Sequence, residues 1–183
     1  MVRHTNQIHT ATCGLLLSVL LLAAPSISAA QENDKGGGSF AWDITKSVIF
    51  DPTTYAPATF SYVSQRMDWE SSQPLFRAGW VEQNRYFTIS GRPNDFPVSY
   101  AEGNRRIRTT ALLHLQESIL NNVAANVFDR LLTEKYPQHR KVFKTLSWVE
   151  RIAFASYVSY LGSVNHFKQT DINRQIAMER GFR

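Results

Sequence analysis

Two histidines and a glutamate are the residues of this sequence best suited to bind a metal ion or to move a proton. Glu117 follows His114 by three residues, and side chains at that spacing share one face of a helix. Together they could ligate a metal, or act as a base and the group that orients it. His166 could join them in space. Because His114 borders an apolar stripe, we favour a hydrogen-bonded boundary histidine and expect no metal and no other cofactor.

Four arginines form the second candidate site. Arg105, Arg106 and Arg108 fall near the start of a long predicted helix, where the helix dipole favours anions and disfavours cations. In the favoured interpretation the nearby carboxylate of Glu102 pairs with them. In the alternative they join Arg92 in a site for a phosphate, a carboxylate or an acidic head group, which would also allow weak contact with a membrane surface.

Aromatic residues crowd the less periodic amino-terminal half of the chain. Most of them are expected to pack in the core, but Trp69, Trp80 and Tyr86 could line a groove for a sugar, an apolar ligand or a partner chain. Asp68 and Glu70 flank Trp69 like a catalytic carboxylate pair. Residues two apart on a helix point about 200° apart, so we do not expect these two to act on one substrate.

Short catalytic signatures are absent from the sequence. It has no GxSxG elbow, no phosphate-binding loop, no dinucleotide fingerprint and no HExxH. Neither the 51–55 segment nor the 91–95 turn resembles a characterised family. The favoured hypothesis is therefore a non-enzymatic domain that binds an unknown protein or small molecule. The alternative is a small exported hydrolase or metalloprotein that uses His114 and Glu117.

The elements that position these side chains are predicted to be helices. Apolar residues recur at steps of three and four, which indicates a helix of about 104–136 with one apolar face directed at the core. The stripe consists of Leu112, Leu115, Ile119, Val123, Val127 and Leu131. Ser99 and Glu102 have the capping-box spacing and could start this helix at Tyr100, although Gly103 would weaken that start.

A second long helix is predicted over about 138–162. Its inner face is assigned to Val142, Leu146, Val149, Ala153, Tyr157 and Tyr160 or Leu161. Gly162 is expected to end it, and a short last helix to follow from residue 171 with Thr170 as its cap. Since little more than Pro137 separates the two long helices, we expect an antiparallel hairpin and a mainly α helical bundle.

The half before this hairpin is expected to be less regular. Short helices are predicted near 40–50 and 58–70, with an interruption at 71–74. The Asp51-Pro52 pair could start the second of these helices earlier, and Pro57 gives a second possible start. From Trp80 to Asp95 strand-forming side chains lead into a turn rich in Gly, Pro and Asn. Residues 81–100 are therefore expected to form either a short β-hairpin or an irregular loop.

Residues 1–30 have the three-part pattern of a secretory signal peptide. The apolar run from Leu15 to Ala24 is well short of the ~20 residues that cross a membrane. Small residues at Ser28 and Ala30 predict cleavage after Ala30. A flexible glycine-rich leader over 31–39 and one domain over 40–183 would remain, in a bacterial protein that is periplasmic or secreted.

Cleavage would leave a domain without cysteine and with a modest positive charge. Removing Arg3 from the 20 basic residues leaves 19 against 15 acidic ones, a formal charge of +4. This excess is too small and too dispersed to indicate nucleic-acid binding. Loss of Cys13 excludes Cys-based zinc sites, iron–sulfur clusters and haem attachment through cysteine. The apolar stretch of 152–164 is too short to span a bilayer.

Export predicts a defined amino terminus for the mature protein. Amino-terminal sequencing of protein recovered from outside the cytoplasm should begin Gln31-Glu32-Asn33, because signal peptidases cut after small residues that follow an apolar run. An Ala30→Asp variant should retain its leader. Recovery of a wild-type chain that still begins at Met1 would contradict the prediction.

Overall fold

A computed structural model of the protein describes residues 37–182 and shows a mainly helical fold, as predicted. Its helices are α1 (Gly37–Ile49), α2 (Pro52–Arg77), α3 (Tyr100–Lys135) and α4 (Arg140–Arg180). Single turns of 3₁₀ helix occupy Arg85–Phe87 and Pro137–His139. The predicted signal peptide and residues 31–36 of the predicted leader lie outside the described residues, and α1 begins at Gly37, three residues before the predicted domain start.

Helix α3 begins at the earlier of its two predicted starts. The Ser99 hydroxyl accepts a hydrogen bond from the Glu102 backbone N–H at 3.2 Å, which satisfies one of the free donors of the first turn. Gly103 does not weaken this start, because the absence of a side chain there lets the ring of Trp69 lie directly against the helix. The start near residue 104 is therefore wrong by about one turn.

Helix α4 does not end at Gly162. It continues to Arg180, and Thr170 lies inside it, where its hydroxyl donates to the His166 carbonyl at 2.8 Å instead of capping a new helix. The Ser64 hydroxyl of α2 donates to the Gly162 carbonyl at 3.4 Å. Tertiary packing along α2 thus outweighs the ~1 kcal/mol by which glycine disfavours a helix interior.

Helix α2 likewise passes through its predicted interruption. Pro52 lies at its first position, as the Asp51-Pro52 pair indicates. Pro74 removes one backbone donor, but the turn that follows it is held by burial, because Leu75 is buried and the Phe76 ring packs on Trp69 with centroids 5.6 Å apart. The predicted interruption at 71–74 is therefore wrong.

The described residues divide into two compact units. The first unit comprises residues 37–51 and 119–151, and the second comprises residues 52–118 and 152–182. Each contains part of α3 and part of α4.

In the first unit the partners on α3 and α4 run in opposite order. Asn121 donates to the carboxylate of Glu150 at 3.4 Å, and the Ser147 hydroxyl donates to the Ala125 carbonyl at 3.2 Å. From Asn121 to Ala125 the number of the α4 partner thus falls, although the long side chain of Arg151 donates to Asn126 at 3.0 Å. Small and polar side chains therefore form the contact between these two segments.

The core of the second unit surrounds one tryptophan. Trp69 is 3% exposed and packs with Phe87, Val98 and Ile107. Its ring stacks on that of Phe87, with centroids 5.2 Å apart and planes 25° apart. This cluster joins α2, the segment between α2 and α3, and the first turns of α3.

The segment between α2 and α3 forms an irregular loop that doubles back on itself. Two isolated antiparallel bridges join Glu82 with Asp95 and Thr88 with Pro97. Gly91 turns the chain with a φ of +72°, a value that glycine adopts readily. No β-sheet is present in residues 37–182. Of the two predicted forms, the structure therefore shows the irregular loop, with two isolated bridges inside it.

Helix α4 buries a different face from the one its apolar stripe predicts, whereas the predicted stripe of α3 is buried at Val127 and exposed at Leu112. On α4 the predicted inner residues Val142, Leu146 and Val149 are 49–59% exposed, and on α3 Leu112 is 64% exposed. The buried positions are instead mostly small, and they include Ser118, Ala124, Ala125, Ser147, Ala155, Ser159 and Ser163. Small side chains let helix backbones approach closely, so close approach decided the buried face here and the predicted inner face of α4 is wrong.

Gly103 of α3 and Gly162 of α4 should respond oppositely to alanine. A Cβ on Gly103 would lie 2.3 Å from the Trp69 ring, whereas one on Gly162 would lie 3.5 Å from the nearest atom. Gly103→Ala should lower the free energy of unfolding by about 1–3 kcal/mol through overpacking. Gly162→Ala should leave it unchanged or raise it by up to about 1 kcal/mol.

Urea denaturation followed by circular dichroism measures both effects. Equal stability of the two variants would show that the packing of the Trp69 ring does not require a glycine at position 103.

Candidate functional site

A cleft of about 380 Å³ in the second unit brings polar and aromatic side chains together. It lies between α2, the first residues of the loop that joins α2 to α3, and the last turns of α4. Asp68, Glu82 and Asn173 supply polar groups from these three elements, while Trp69 and Trp80 supply aromatic surface. No lysine or arginine is among its lining residues. The cleft is therefore acidic on one side and aromatic on the other.

A hydrogen-bond network orients the Asp68 carboxylate. The amide of Asn173, which is 4% exposed, donates to the Ser72 hydroxyl at 2.8 Å and lies 3.2 Å from Asp68 Oδ1. His166 Nδ1 lies 2.7 Å from Asp68 Oδ2. Both oxygens of Asp68 thus have partners on α4, which holds this side chain in one position at the edge of the cleft.

Glu82 is a half-buried carboxylate in a cleft whose lining has no lysine or arginine. Burial raises its pKa above the ordinary 4.5, and the negative charge of Asp68 raises it further. The Asn84 backbone N–H, 2.7 Å from Oε1, opposes these effects, as do the Gln83 backbone N–H and the charge of His166. Its backbone is held by the bridge to Asp95. The ionised form of Glu82 is therefore poorly stabilised in the protein alone.

Two of the three aromatic residues predicted to line a groove meet in this cleft. Trp69 is fixed in the core, and Trp80 is 41% exposed. Tyr86 is not among the lining residues, and its ring packs instead beside the guanidinium of Arg106, 5.6 Å from the ring centroid. Trp80 is therefore the aromatic side chain that a ligand entering the cleft would reach most easily.

The predicted pair of His114 and Glu117 meets on α3, with Nδ1 and Oε2 separated by 3.3 Å. Neither residue lines the cleft, and His166 pairs with Asp68. Within residues 37–182, no three His, Cys, Asp or Glu side chains form a group that could hold a metal ion. The use of His114 and Glu117 in catalysis or metal binding stays a prediction.

Glu102 compensates part of the arginine cluster. Arg105 reaches both of its carboxylate oxygens at 2.7 Å, and Arg106 reaches Oε1 at 2.8 Å. Hydrogen bonds from these two arginines lower the pKa of Glu102 to about 2. Arg108 is exposed on α3, and Arg92 is exposed in the turn of the loop that joins α2 to α3. An anion site built from the four arginines would have to compete with Glu102.

Comparison with known proteins identifies no relative of this chain. No protein family, no curated protein and no solved structure matches it. In the part of the chain that the structure describes, no helix combines the length and apolar character needed to cross a membrane.

The sequence predicted how Asp68 and Glu70 are oriented, but it contained little signal for Asn173 and Glu82 of the cleft. Asp68 and Glu70 diverge, as helix geometry predicts: Glu70 pairs with Arg66 at 2.7 Å while Asp68 meets His166. Asn173 was missed because it falls on the separate short helix predicted from residue 171, whose orientation relative to the helix before Gly162 the sequence does not give. Glu82 was missed because it lies in an irregular loop, where neither helical nor strand periodicity assigns a side chain to one face.

Two glutamates should affect stability with opposite signs. A carboxyl whose pKa is raised on folding binds more protons in the native state, so its contribution becomes unfavourable as pH rises above 4.5. Glu82→Gln should therefore raise the urea midpoint at pH 7, with the gain shrinking below pH 4.5. Glu102 has a lowered pKa, so its stabilisation is present above pH 4.5 and is lost as pH falls toward about 2.

Accordingly, Glu102→Gln should lower the midpoint at pH 7 and converge with wild type in strong acid. Urea midpoints measured between pH 2 and pH 7 on both variants check this. A loss of stability in Glu82→Gln at pH 7 would mean that the Glu82 carboxylate is well compensated.

Proposed function

We propose that the protein is a non-enzymatic binding domain and that the acidic, aromatic cleft of the second unit binds a small organic cation. One observation carries this proposal: Glu82 and Asp68 face a cleft whose lining includes Trp69 and Trp80 but no basic residue. A buried carboxylate is costly unless a cation or hydrogen-bond donors compensate it. A cationic ligand would supply a charge that no lysine or arginine of the cleft lining supplies.

The aromatic wall supports the same class of ligand. A cation over a tryptophan face gains ~0.5–2 kcal/mol from the ring quadrupole, and more when water is excluded. The half-exposed Trp80 offers such a face next to Glu82. A neutral sugar could also stack on this ring, but it would not offset the charge of Glu82. We therefore favour an amine or quaternary ammonium group carried on an apolar body.

Asp68 contributes chiefly to the shape of the site. Its carboxylate is already engaged by His166 and Asn173, so we assign the direct ion pair with the ligand to Glu82. The hydrogen bonds from α4 would keep the Asp68 side chain in the same position in the ligand-free and ligand-bound protein. Such preorganisation reduces the entropy lost on binding.

The setting of this function rests on the sequence. We propose that the protein is bacterial and acts in the periplasm or outside the cell after cleavage behind Ala30, on the basis of the three-part pattern of residues 1–30. We also propose that α3 and α4 form an antiparallel hairpin. The opposite order of their partners in the first unit supports that arrangement.

A second candidate is an exported hydrolase. The short contact between His166 and Asp68 favours it, because a carboxylate that orients an imidazole is a common general-base arrangement. The imidazole of His166 is not among the groups that line the cleft, which supports binding over catalysis. Turnover of a bound compound that is lost in His166→Asn would favour this second candidate.

Calorimetric titration at pH 7 with tetramethylammonium, n-butylammonium and glucose tests the binding proposal. We expect at least one of the two cations to bind and glucose not to bind. Glu82→Gln and Trp80→Ala should each weaken cation binding tenfold or more, equivalent to about 1.4 kcal/mol. Affinity should also fall as acid protonates Glu82.

Glu70→Gln is the matched control, because Glu70 is an exposed glutamate of α2 outside the cleft. It should bind like wild type. Binding of glucose alone, or an equal loss of affinity in Glu70→Gln and Glu82→Gln, would refute a cation site at Glu82.

A further inference from the structure

His166 of α4 contacts the acidic side of the cleft without lining it. Its Nδ1 atom lies 2.7 Å from Oδ2 of Asp68, and Asp68 is a lining residue of the cleft. The side chain of His166 is 25% exposed, so water can bring a proton to the ring. Histidine is the side chain that gains and loses its charge near neutral pH. A group that can change charge is therefore held against a carboxylate of the proposed binding site.

Two carboxylates on two other elements act on this imidazole. Asp68 of α2 contacts the ring directly. Glu82, in the loop that joins α2 to α3, is close enough for its charge and that of His166 to interact. No lysine or arginine is among the lining residues of the cleft. Protonated His166 would therefore bring a positive charge to two acidic side chains that no basic residue of the lining balances.

The other residues of α4 near His166 add little charge at this point. The positions one turn away on the helix are uncharged: Gly162, Ser163, Gln169 and Thr170. Lys168 and Asp171 are exposed, and they lie two and five residues further on, which is about 200° and 140° around the helix. The charge state of His166 is therefore decided mainly by Asp68, Glu82 and any cation in the cleft.

The charge of His166 reaches the carboxylate to which we assign the ion pair with the ligand. Burial has the largest influence on the pKa of Glu82 and raises it, whereas the charge of His166 has a smaller influence and lowers it. A protonated imidazole thus stabilises ionised Glu82, as a bound organic cation would. Because the two positive charges compensate the same carboxylates and repel each other, each reduces the gain from the other.

We infer that His166 makes ligand binding in the cleft dependent on pH, because its protonated imidazole and an organic cation compete for the charge of Asp68 and Glu82. The inference rests on the proposed cation site. When the ring is neutral, both carboxylates are free to attract the ligand. When mild acid protonates the ring, the cleft is less negative and releases the ligand.

Protonation of His166 and binding of the cation are linked in both directions. If a proton on His166 weakens cation binding by some factor, the cation weakens the binding of that proton by the same factor. The cation should therefore displace protons at a pH where His166 is partly protonated. A histidine that only held Asp68 in place would release none, so proton release separates the two roles.

Calorimetric titration with tetramethylammonium and n-butylammonium between pH 8 and pH 5.5 tests this inference. Both cations keep their charge over this range, so a change in affinity reports the protein. We expect the affinity of wild type to fall about fivefold or more from pH 8 to pH 5.5, a size typical of coupling between two sites. A pH-stat at pH 6.5, which counts the base needed to hold the pH, should record proton release as the cation is added.

His166→Asn is the variant that isolates the imidazole charge, since its amide can still donate to Asp68 but gains no proton. It should bind the cations like wild type at pH 8 and lose most of the fall in affinity and of the proton release. Any fall that remains at the lowest pH reports protonation of Glu82. His139→Asn is the matched control, because His139 is an exposed histidine of the first unit. It should keep the wild-type pH dependence.

The outcomes separate this inference from the proposed site. Wild-type affinity that is unchanged from pH 8 to pH 5.5, or a His166→Asn variant that keeps the wild-type pH dependence and proton release, would overturn the role of His166 and leave the cation site intact. Absence of cation binding at every pH would overturn both. If circular dichroism shows that His166→Asn is unfolded, His166→Gln and the wild-type proton release decide the result.

Discussion

The direct contact of Trp69 with the backbone of α3 at Gly103 is the constraint on which the second unit depends. A large ring can lie this close to a helix only where no side chain intervenes. This contact places Trp69 where Phe87 can stack on it, and it brings the irregular loop against both helices. The same ring forms one wall of the cleft. One missing side chain thus sets the position of the core and of the proposed binding site together.

The long helices of both units pack mainly through small side chains, and as a result large apolar residues remain on the surface. Ser147 on α4 and Ala125 on α3 allow a hydrogen bond from a side chain directly to a backbone carbonyl. Serine and alanine contribute little apolar burial, so close backbone approach and hydrogen bonds carry much of the contact. Larger apolar residues stay exposed beside this contact, and Leu146, next to Ser147, is 59% exposed.

The electrostatics of the two acidic regions differ because their partners differ. Glu102 lies on the surface among arginines that already compensate it, so its charge stabilises the fold. Glu82 lies in a cleft without lysine or arginine, so its charge costs stability in the protein alone. The proposed cation ligand would offset this cost. The cleft is on this ground a better candidate for a binding site than the arginine cluster.

Local sequence signals determined where several helices begin and that the protein is mainly helical. A cap such as Ser99 acts through its own backbone neighbours, so its effect does not need the rest of the fold. Tertiary structure decided which helix faces are buried and whether α4 passes Gly162, because close packing against α2 outweighs the small intrinsic cost of a helical glycine. It also decided the cleft: Asp68 and Asn173 are 105 residues apart in the chain, and only the packing of α2 on α4 brings them into contact.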